Sequence, residues 1–393
     1  MKITITQGAF LPVPPLLGGA VEKAWFALGQ AFAARGHEVT HISRAFGELP
    51  RSEVIGDVRH VRVSGFAATG NSAARNGCDL LYGLRVLRRL PPADVLVTNS
   101  FWLPALSRRR SRGIVYAHVA RFPKGQMRLY RRAILQTVSA PIRDAIVAEC
   151  PAAAGRVRVI PYPIAPQYLW GGDGALPEGG DVLLYAGRVH PEKGVRVLID
   201  AFARLPEALR ARWKLKIVGP WKVEQGGGGE KYFEELRRAA ACAGVPERVE
   251  FAGAIFDERE LVAQYRAASV FVYPSLAERG ETFGLAALEA MASGCAPVVS
   301  SLACFRDFIA PDVNGAVFNH RAGDAAGELA RVLGALLADG ARVEALRRAA
   351  LETAREYSLE KIADEFLEDF AALVADGNGN KCNPIGYNPI LRT

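Results

Sequence analysis

The sequence predicts an α/β fold of two Rossmann-like domains, and three observations carry that expectation. Short apolar, β-rich runs alternate with amphipathic helical stretches from the first residues onward. At 393 residues, half of them hydrophobic, the chain is too long for one ordinary core and can fill two. A stretch rich in Pro, Gly and Ala at residues 164–180 reads as a linker between two series, 1–163 and 181–357.

In the first series, residues 2–6 form a strand, followed by the loop Leu11-Pro-Val-Pro-Pro-Leu-Leu and Gly18-Gly19. Residues 20–34 make an amphipathic helix that Gly36 ends, and Val39 to Ile42 are the next strand. No G-x-G-x-x-G follows the first strand, so a dinucleotide fingerprint is absent. Residues 58–64 alternate as a strand, 66–77 read as a small polar loop, and a helix covers 78–90. Strands follow at 94–98, 113–116, 136–139 and 157–160, with a helix at 141–149 begun by an early proline. His118 stands just past one strand, where ligands of open α/β sheets gather. A hydrogen-bonded loop histidine is its other reading.

In the second series, Asp181 to Tyr185 is a strand. It runs into Gly187-Arg188-Val-His-Pro-Glu-Lys193-Gly194 and a helix from Val195 to about Leu205. Arg can clamp two phosphate oxygens and Lys adds a movable point charge, which suits a departing diphosphate. Two solvated loop cations are the plain alternative. Strands at 214–218 and 249–252 and helices at 230–243 and 257–268 follow, and the second helix starts with acidic residues that complement its dipole. Gly226 to Gly229 read as a flexible, tolerated insertion. Val270 to Tyr273 end a buried strand, and Pro274 to Gly280 break regular structure. A helix is expected from Thr282, with Glu281 just before it and Glu289 about two turns inside. Phe283, Gly284 and Leu285 would then offer backbone N–H groups to a phosphate or sugar hydroxyl. Two glutamates eight apart also arise by chance. Strands at 296–300 and 315–318 and helices at 323–338, 341–355 and 359–373 complete the series. Residues 376–393, rich in Gly and Asn, read as a disordered tail.

The run Glu281-Thr-Phe283-Gly284-Leu285-Ala-Ala-Leu-Glu289-Ala-Met-Ala-Ser-Gly294 resembles the E-x7-E signature of the retaining family 4 glycosyltransferases. Gly187-Arg188 to Lys193-Gly194 resembles that family's G-R-x-x-x-x-K-G motif. Gly18-Gly19 and Arg35-Gly36-His37-Glu38-Val39 resemble its N-terminal domain, so the resemblance covers about residues 1–373. It implies the GT-B fold: two facing domains with an interdomain cleft. The acceptor side would be 1–163, the nucleotide-sugar side 181–357, with a C-terminal helix, 358–375, returning to the first domain. It also implies a hexosyltransferase of polysaccharide or glycolipid biosynthesis. The donor would be a nucleotide-diphosphate sugar, UDP-sugar favoured and GDP-mannose next, and the acceptor a hydroxyl of a glycan, lipid-linked or small molecule.

By the same resemblance, Arg188 and Lys193 stabilise the leaving phosphates, Glu281 orients the sugar, and His118 touches its outer hydroxyl. Glu289 accepts the ribose hydroxyls, and Gly18, Gly19, Gly187, Phe283, Gly284 and Leu285 line the donor. Where the family carries Pro-Asn-Gly, this chain has Pro161-Tyr162-Pro163. A sugar-nucleotide epimerase of the same fold, or a non-catalytic nucleotide-sugar-binding or scaffolding protein, are the alternatives.

Charge is uneven along the chain. Residues 1–170 carry 23 Lys+Arg against 9 Asp+Glu and residues 171–393 carry 26 against 32, which together make the net +8. A basic first half points to an anionic partner, an acidic membrane face or a lipid pyrophosphate, with a plain solvated arginine-rich face as the alternative. Nucleic acid is not expected, since no zinc spacing or aromatic recognition motif accompanies the charge. Six cysteines without pair or metal spacing indicate a reducing compartment. The N-terminal Met1-Lys-Ile-Thr-Ile-Thr has a strand pattern, not that of a signal peptide. No run reaches the roughly 18 apolar residues of a membrane helix. The expected location is cytoplasmic, with peripheral contact at the inner membrane face. No D-x-D pair stands ready for a metal, so neither metal nor cofactor is expected beyond the donor.

Overall fold

A computed structural model of the chain describes residues 1–67, 71–172 and 175–377, without the side chains of Ser72 and Arg110. The chain forms two compact units, Met1–Pro163 with the chain from Leu359, and Ile164–Ser358.

The first unit contains β1 (Lys2–Thr6), α1 (Ala20–Ala34), β2 (Glu38–Arg44), β3 (Ser52–Ile55), β4 (Val58–Val63), α2 (Ser72–Leu87), β5 (Val95–Thr98), α3 (Leu103–Leu106), β6 (Ile114–Val119), β7 (Ile134–Thr137), α4 (Ala140–Glu149) and β8 (Val157–Val159). The strand order is β3-β4-β2-β1-β5-β6-β7-β8, parallel apart from the β3–β4 hairpin. Strand order reverses beside β1, and ligands of open α/β sheets gather beyond the carboxyl ends of strands at such a reversal. α1 turns Trp25, Leu28 and Phe32 into the core.

The second unit contains β9 (Gly180–Ala186), α5 (Val195–Ala203), α6 (Glu207–Arg212), β10 (Lys214–Val218), α7 (Glu230–Cys242), β11 (Val249–Gly253), α8 (Glu258–Arg266), β12 (Ala268–Tyr273), α9 (Leu285–Ala292), β13 (Ala296–Ser300), β14 (Ala316–Phe318), α10 (Ala325–Leu337) and α11 (Gly340–Arg355). Its strands run β11-β10-β9-β12-β13-β14, all parallel. Every residue of β12 and β13 is buried, as in strands covered on both faces. Here the order reverses beside β9, whose neighbours are β10 and β12.

The last helix, α12 (Leu359–Ala375), belongs to the first unit. Its Ile362, Phe366, Phe370 and Leu373 share a core with Trp25, Phe32 and Tyr116. Asp369 accepts from Arg158 Nε at 3.0 Å and from the Tyr116 hydroxyl at 2.8 Å. Arg158 and Asp369 are both buried, and losing one partner of such a pair costs about 3–5 kcal/mol.

Several expectations need correction. The described part of 164–180 is no free linker, because it packs into the second unit. Ile164 N–H donates to Tyr357 O, Trp170 N–H donates to Ala292 O, and Ile164 and Tyr168 are buried. α2 begins at Ser72, inside the stretch read as a loop, because the Asn71 side chain caps Ala73 and Ala74. β3 and α6 escaped the sequence reading. Residues 378–393 lie outside the described residues. Among the described residues, no helix is long and apolar enough to cross a membrane.

Three histidines of the first unit are buried. His41 on β2 pairs with His60 on β4, their rings stack at 5.3 Å, and neither ring has a hydrogen-bond partner. Burial, with Arg62 alongside, pushes both below their ordinary 6.5, His60 to about 4. Burial likewise brings His118 to about 4. A depressed histidine binds its proton in the unfolded chain first, so stability falls as pH drops below about 6.5. The buried carboxyls of Glu22 and Asp79 are raised by burial and act with the opposite sign. Calorimetry from pH 8 to pH 5 should show the first unit's transition falling, and His41→Leu should flatten that fall. An unchanged slope in the variant would contradict this account.

Candidate active site

Two loops at the carboxyl ends of neighbouring strands meet in the second unit. One follows β9 and carries Arg188 and Lys193. The other follows β12 and carries Glu281. Lys193 Nζ stands 2.7 Å from Glu281 Oε2, with both side chains about a tenth exposed or less. Lys193 also lies over the Tyr273 ring, 5.6 Å from its centroid. Burial, and then the Glu281 carboxylate, push the Tyr273 phenol far up. Burial, and then the same carboxylate, also keep the Cys304 thiol neutral. Arg188 is more open. Its Nη2 donates to Glu192 Oε1 and its Nη1 to Gly226 O, both at 2.8 Å.

Glycines allow this approach. Gly194 has φ +70, and a Cβ there would come within 2.0 Å of Pro274 O. Leu276 N–H donates to Glu192 O across the same junction at 2.8 Å. At Gly187, a Cβ would press on the Tyr185 hydroxyl at 3.1 Å and the Tyr273 ring at 3.3 Å. The Gly226–Gly229 tract is built in, contrary to its reading as an insertion. Gly228 N–H donates to Val189 O, Gly226 O holds Arg188, and a Cβ on Gly227 would collide with the Trp221 backbone at 2.2 Å. Low side-chain content here serves close packing beneath the cation loop.

α9 starts at Leu285, later than expected, because Gly284 sits left-handed at φ +88 against Phe305 and the loop runs through it. Glu289 is therefore about one turn inside. Its carboxylate lies near Tyr168 and Tyr265, whose phenols it raises after burial has done so. Phe283 is buried, its ring packed near Phe308 and Tyr357. His190 Nδ1 caps the turn Pro191–Lys193.

Gly18, Gly19 and His118 belong to the first unit. Gly18 has open space where a Cβ would stand. At Gly19 that space holds the Glu22 carboxylate, 2.2 Å away. His118 lies within β6, paired with Gln136 of β7, and not past the strand as expected, because the strand runs on to Val119; it is buried. Gln136 Nε2 donates to Thr137 O and Ile160 O, so its Oε1 faces the imidazole and accepts from Nδ1–H at 2.5 Å. His118 Nε2 is then an acceptor, and the Tyr162 hydroxyl lies 3.2 Å from it. Tyr162 and Glu22 were not anticipated. The Pro161-Tyr162-Pro163 departure was the only signal for Tyr162, and Glu22 looked like an ordinary first-turn acid.

Residues 171–355 match the family Glycosyl transferases group 1. This part of the chain is a group 1 glycosyltransferase domain. A curated relative, the D-inositol 3-phosphate glycosyltransferase of Xylanimonas cellulosilytica, is 34% identical over 196 residues, covering 50% of this chain and 43% of the relative. The chain thus spans less than half the length of the curated relatives it matches. Sucrose-phosphate synthase from Thermosynechococcus elongatus superposes with a TM-score of 0.77 at 20% identity, covering 96% of this chain and all of that one. The Anabaena protein HepE, solved with UDP, gives 0.71 at 20% identity over 95% of this chain and all of that one. The fold is that of the GT-B glycosyltransferases.

Both glutamates and both cations lie in the group 1 domain, on the loops after β9 and β12 and on α9. Gly194→Ala tests whether the Pro274 contact sets that geometry. Strain at a positive φ costs on the order of 1–3 kcal/mol, and the clash adds to it. Urea unfolding should show the second unit destabilised by about 2 kcal/mol or more. A wild-type midpoint would refute the contact's importance.

Proposed function

We propose that this protein transfers a sugar, with retention, from a nucleotide-diphosphate donor to an acceptor hydroxyl. The observation that carries the reading is the 2.7 Å contact between Lys193 and Glu281, which joins the cation motif to the glutamate motif. An ammonium has three donors. With one directed to Glu281, two remain for diphosphate oxygens. Arg188 supplies a planar fork for the same group. Glu281 holds sugar hydroxyls, Glu289 takes the ribose, and the backbone at Gly187, Phe283, Gly284 and Leu285 lines the donor. Gly18, Gly19 and His118 of the first unit are assigned to the donor on the family resemblance alone, and a sugar hydroxyl would reach His118 only by taking the place of the Tyr162 hydroxyl at Nε2.

In the reaction, the bond from the anomeric carbon to the diphosphate breaks and the acceptor oxygen bonds to that carbon on the same face. The acceptor proton passes to the departing phosphate oxygen, so no covalent enzyme intermediate forms. Arg188 and Lys193 balance the charge that grows on the diphosphate, and we infer that no metal is needed. UDP is favoured, because HepE of the same fold was solved with it. A thermal-shift panel of UDP, GDP, ADP and their sugars, with and without EDTA, should give the largest shift for the UDP series. No shift with any nucleotide would overturn the reading, and loss of the shift in EDTA would overturn metal independence. In whichever donor series responds, Arg188→Ala and Lys193→Ala should each lower turnover by about 10²-fold, and folded variants with full turnover would contradict their roles.

The acceptor side is proposed to meet anionic carriers, lipid-linked ones included, at the inner face of a cytoplasmic membrane. Arg128, Arg131 and Arg132 are exposed beside Leu129, which is 49% exposed. Such a cluster suits an acidic bilayer surface. Sedimentation with phosphatidylserine vesicles at low salt should capture the protein, and neutral vesicles should not. Equal binding to both, or to neither, would remove this part of the proposal.

A further inference from the structure

The loop that carries Glu281 is held from a second side, by residues outside either motif. Glu278 lies three residues before Glu281. Its carboxylate takes Arg321 on both oxygens, Oε1 from Nε at 2.7 Å and Oε2 from Nη2 at 2.8 Å. His320 Nε2 lies 3.0 Å from the same Oε1, and its Nδ1 lies 3.0 Å from Ser301 Oγ. The His320 side chain is only 4% exposed, whereas Glu278 is 52% exposed. Arg321, and then His320, draw the Glu278 carboxyl below its ordinary range.

Between Glu278 and Glu281 there is little slack. Gly280 N–H and Glu281 N–H both donate to Ala277 O, at 3.1 and 2.9 Å. Ser300 Oγ donates to Ser275 O at 2.6 Å, which fixes the start of the loop to β13. Glu278 and Glu281 therefore stand on one tight turn, and an anchor on the first sets the position of the second. Lys193 is a poor fixed anchor if it must also follow a phosphate. An exposed ion pair by itself contributes roughly 0.2–1 kcal/mol. Here its geometry is bidentate, and the buried His320 ties it to Ser301 beside β13, so its effect is on position more than on stability.

We propose that Glu278, Arg321 and His320 form a clamp that sets the Glu281 carboxylate against the donor sugar. They are positioning residues, since none of them need touch the donor. The inference rests on the reading that Glu281 holds that sugar. It is tested by calorimetric titration with UDP and UDP-glucose, and with GDP and GDP-mannose, on wild type, Arg321→Ala, Arg321→Lys, Glu278→Gln and Glu281→Gln. The quantity read is the ratio of sugar-nucleotide affinity to that of the nucleotide diphosphate alone.

In Arg321→Ala and Glu278→Gln, the ratio should fall by roughly ten-fold, the scale of a sub-ångström misplacement, while nucleotide affinity stays at wild type. Arg321→Lys should recover part of it. A wild-type ratio in Arg321→Ala, with Glu281→Gln still losing it, would overturn the clamp and leave the sugar reading standing. Loss of nucleotide affinity together with the ratio would show a structural role and overturn it too. A wild-type ratio in Glu281→Gln, or no binding by the wild type, would bring down the sugar reading and the clamp with it.

Discussion

An ammonium and a carboxylate in near-contact, each almost closed off from water, join the second unit's two strand-end loops. Lys193 and Glu281 are 88 residues apart in sequence, and they meet because β9 and β12 are neighbours in the sheet while their loops leave the same end. Such a pair persists only where the backbone brings both groups to one place. Gly194 does this by letting the chain touch Pro274, and the Leu276–Glu192 backbone bond closes the junction. Both stacked tyrosines, Tyr185 and Tyr273, form its floor. Glycine at 187 leaves room for them.

The first unit handles its polar groups differently. His118 belongs to a chain that begins at backbone carbonyls, passes through the Gln136 amide and reaches the Tyr162 phenol. Each link fixes the direction of the next. The imidazole is therefore neutral and locked in one tautomer, and Tyr162 covers the nitrogen that would otherwise be free to accept. Position near a strand end and the family resemblance singled out the histidine, but its chemistry is set by a residue in a tripeptide far along the chain.

Much of this was legible from residue order because buried parallel strands are unbroken apolar runs. β12 and β13 stand out for that reason, as do the glycine stops after helices. β3 did not, because its four residues lie at the sheet edge with alternate side chains exposed. The two motifs named the four charged residues, and strand-end position in an α/β sheet explains why Lys193 meets Glu281. What stayed hidden was long-range. A glycine tract looks loose by composition, yet its backbone bonds lie under Arg188. The onset of α9 depended on a left-handed Gly284 wedged on Phe305, and Glu22 needed the space left by Gly19.

One architectural detail bears on how the polypeptide matures. The first unit is interrupted: 163 residues open it, and α12 closes it only after the whole second unit has been threaded out. During synthesis, the N-terminal sheet must wait on the ribosome with Trp25, Phe32 and Tyr116 uncovered and Arg158 lacking its counter-ion. The unit made later has all of its own strands in hand first. Vectorial translation ordinarily favours the domain that emerges earliest. Until α12 emerges, the aromatic face that it covers stays open, a surface suited to chaperone shelter.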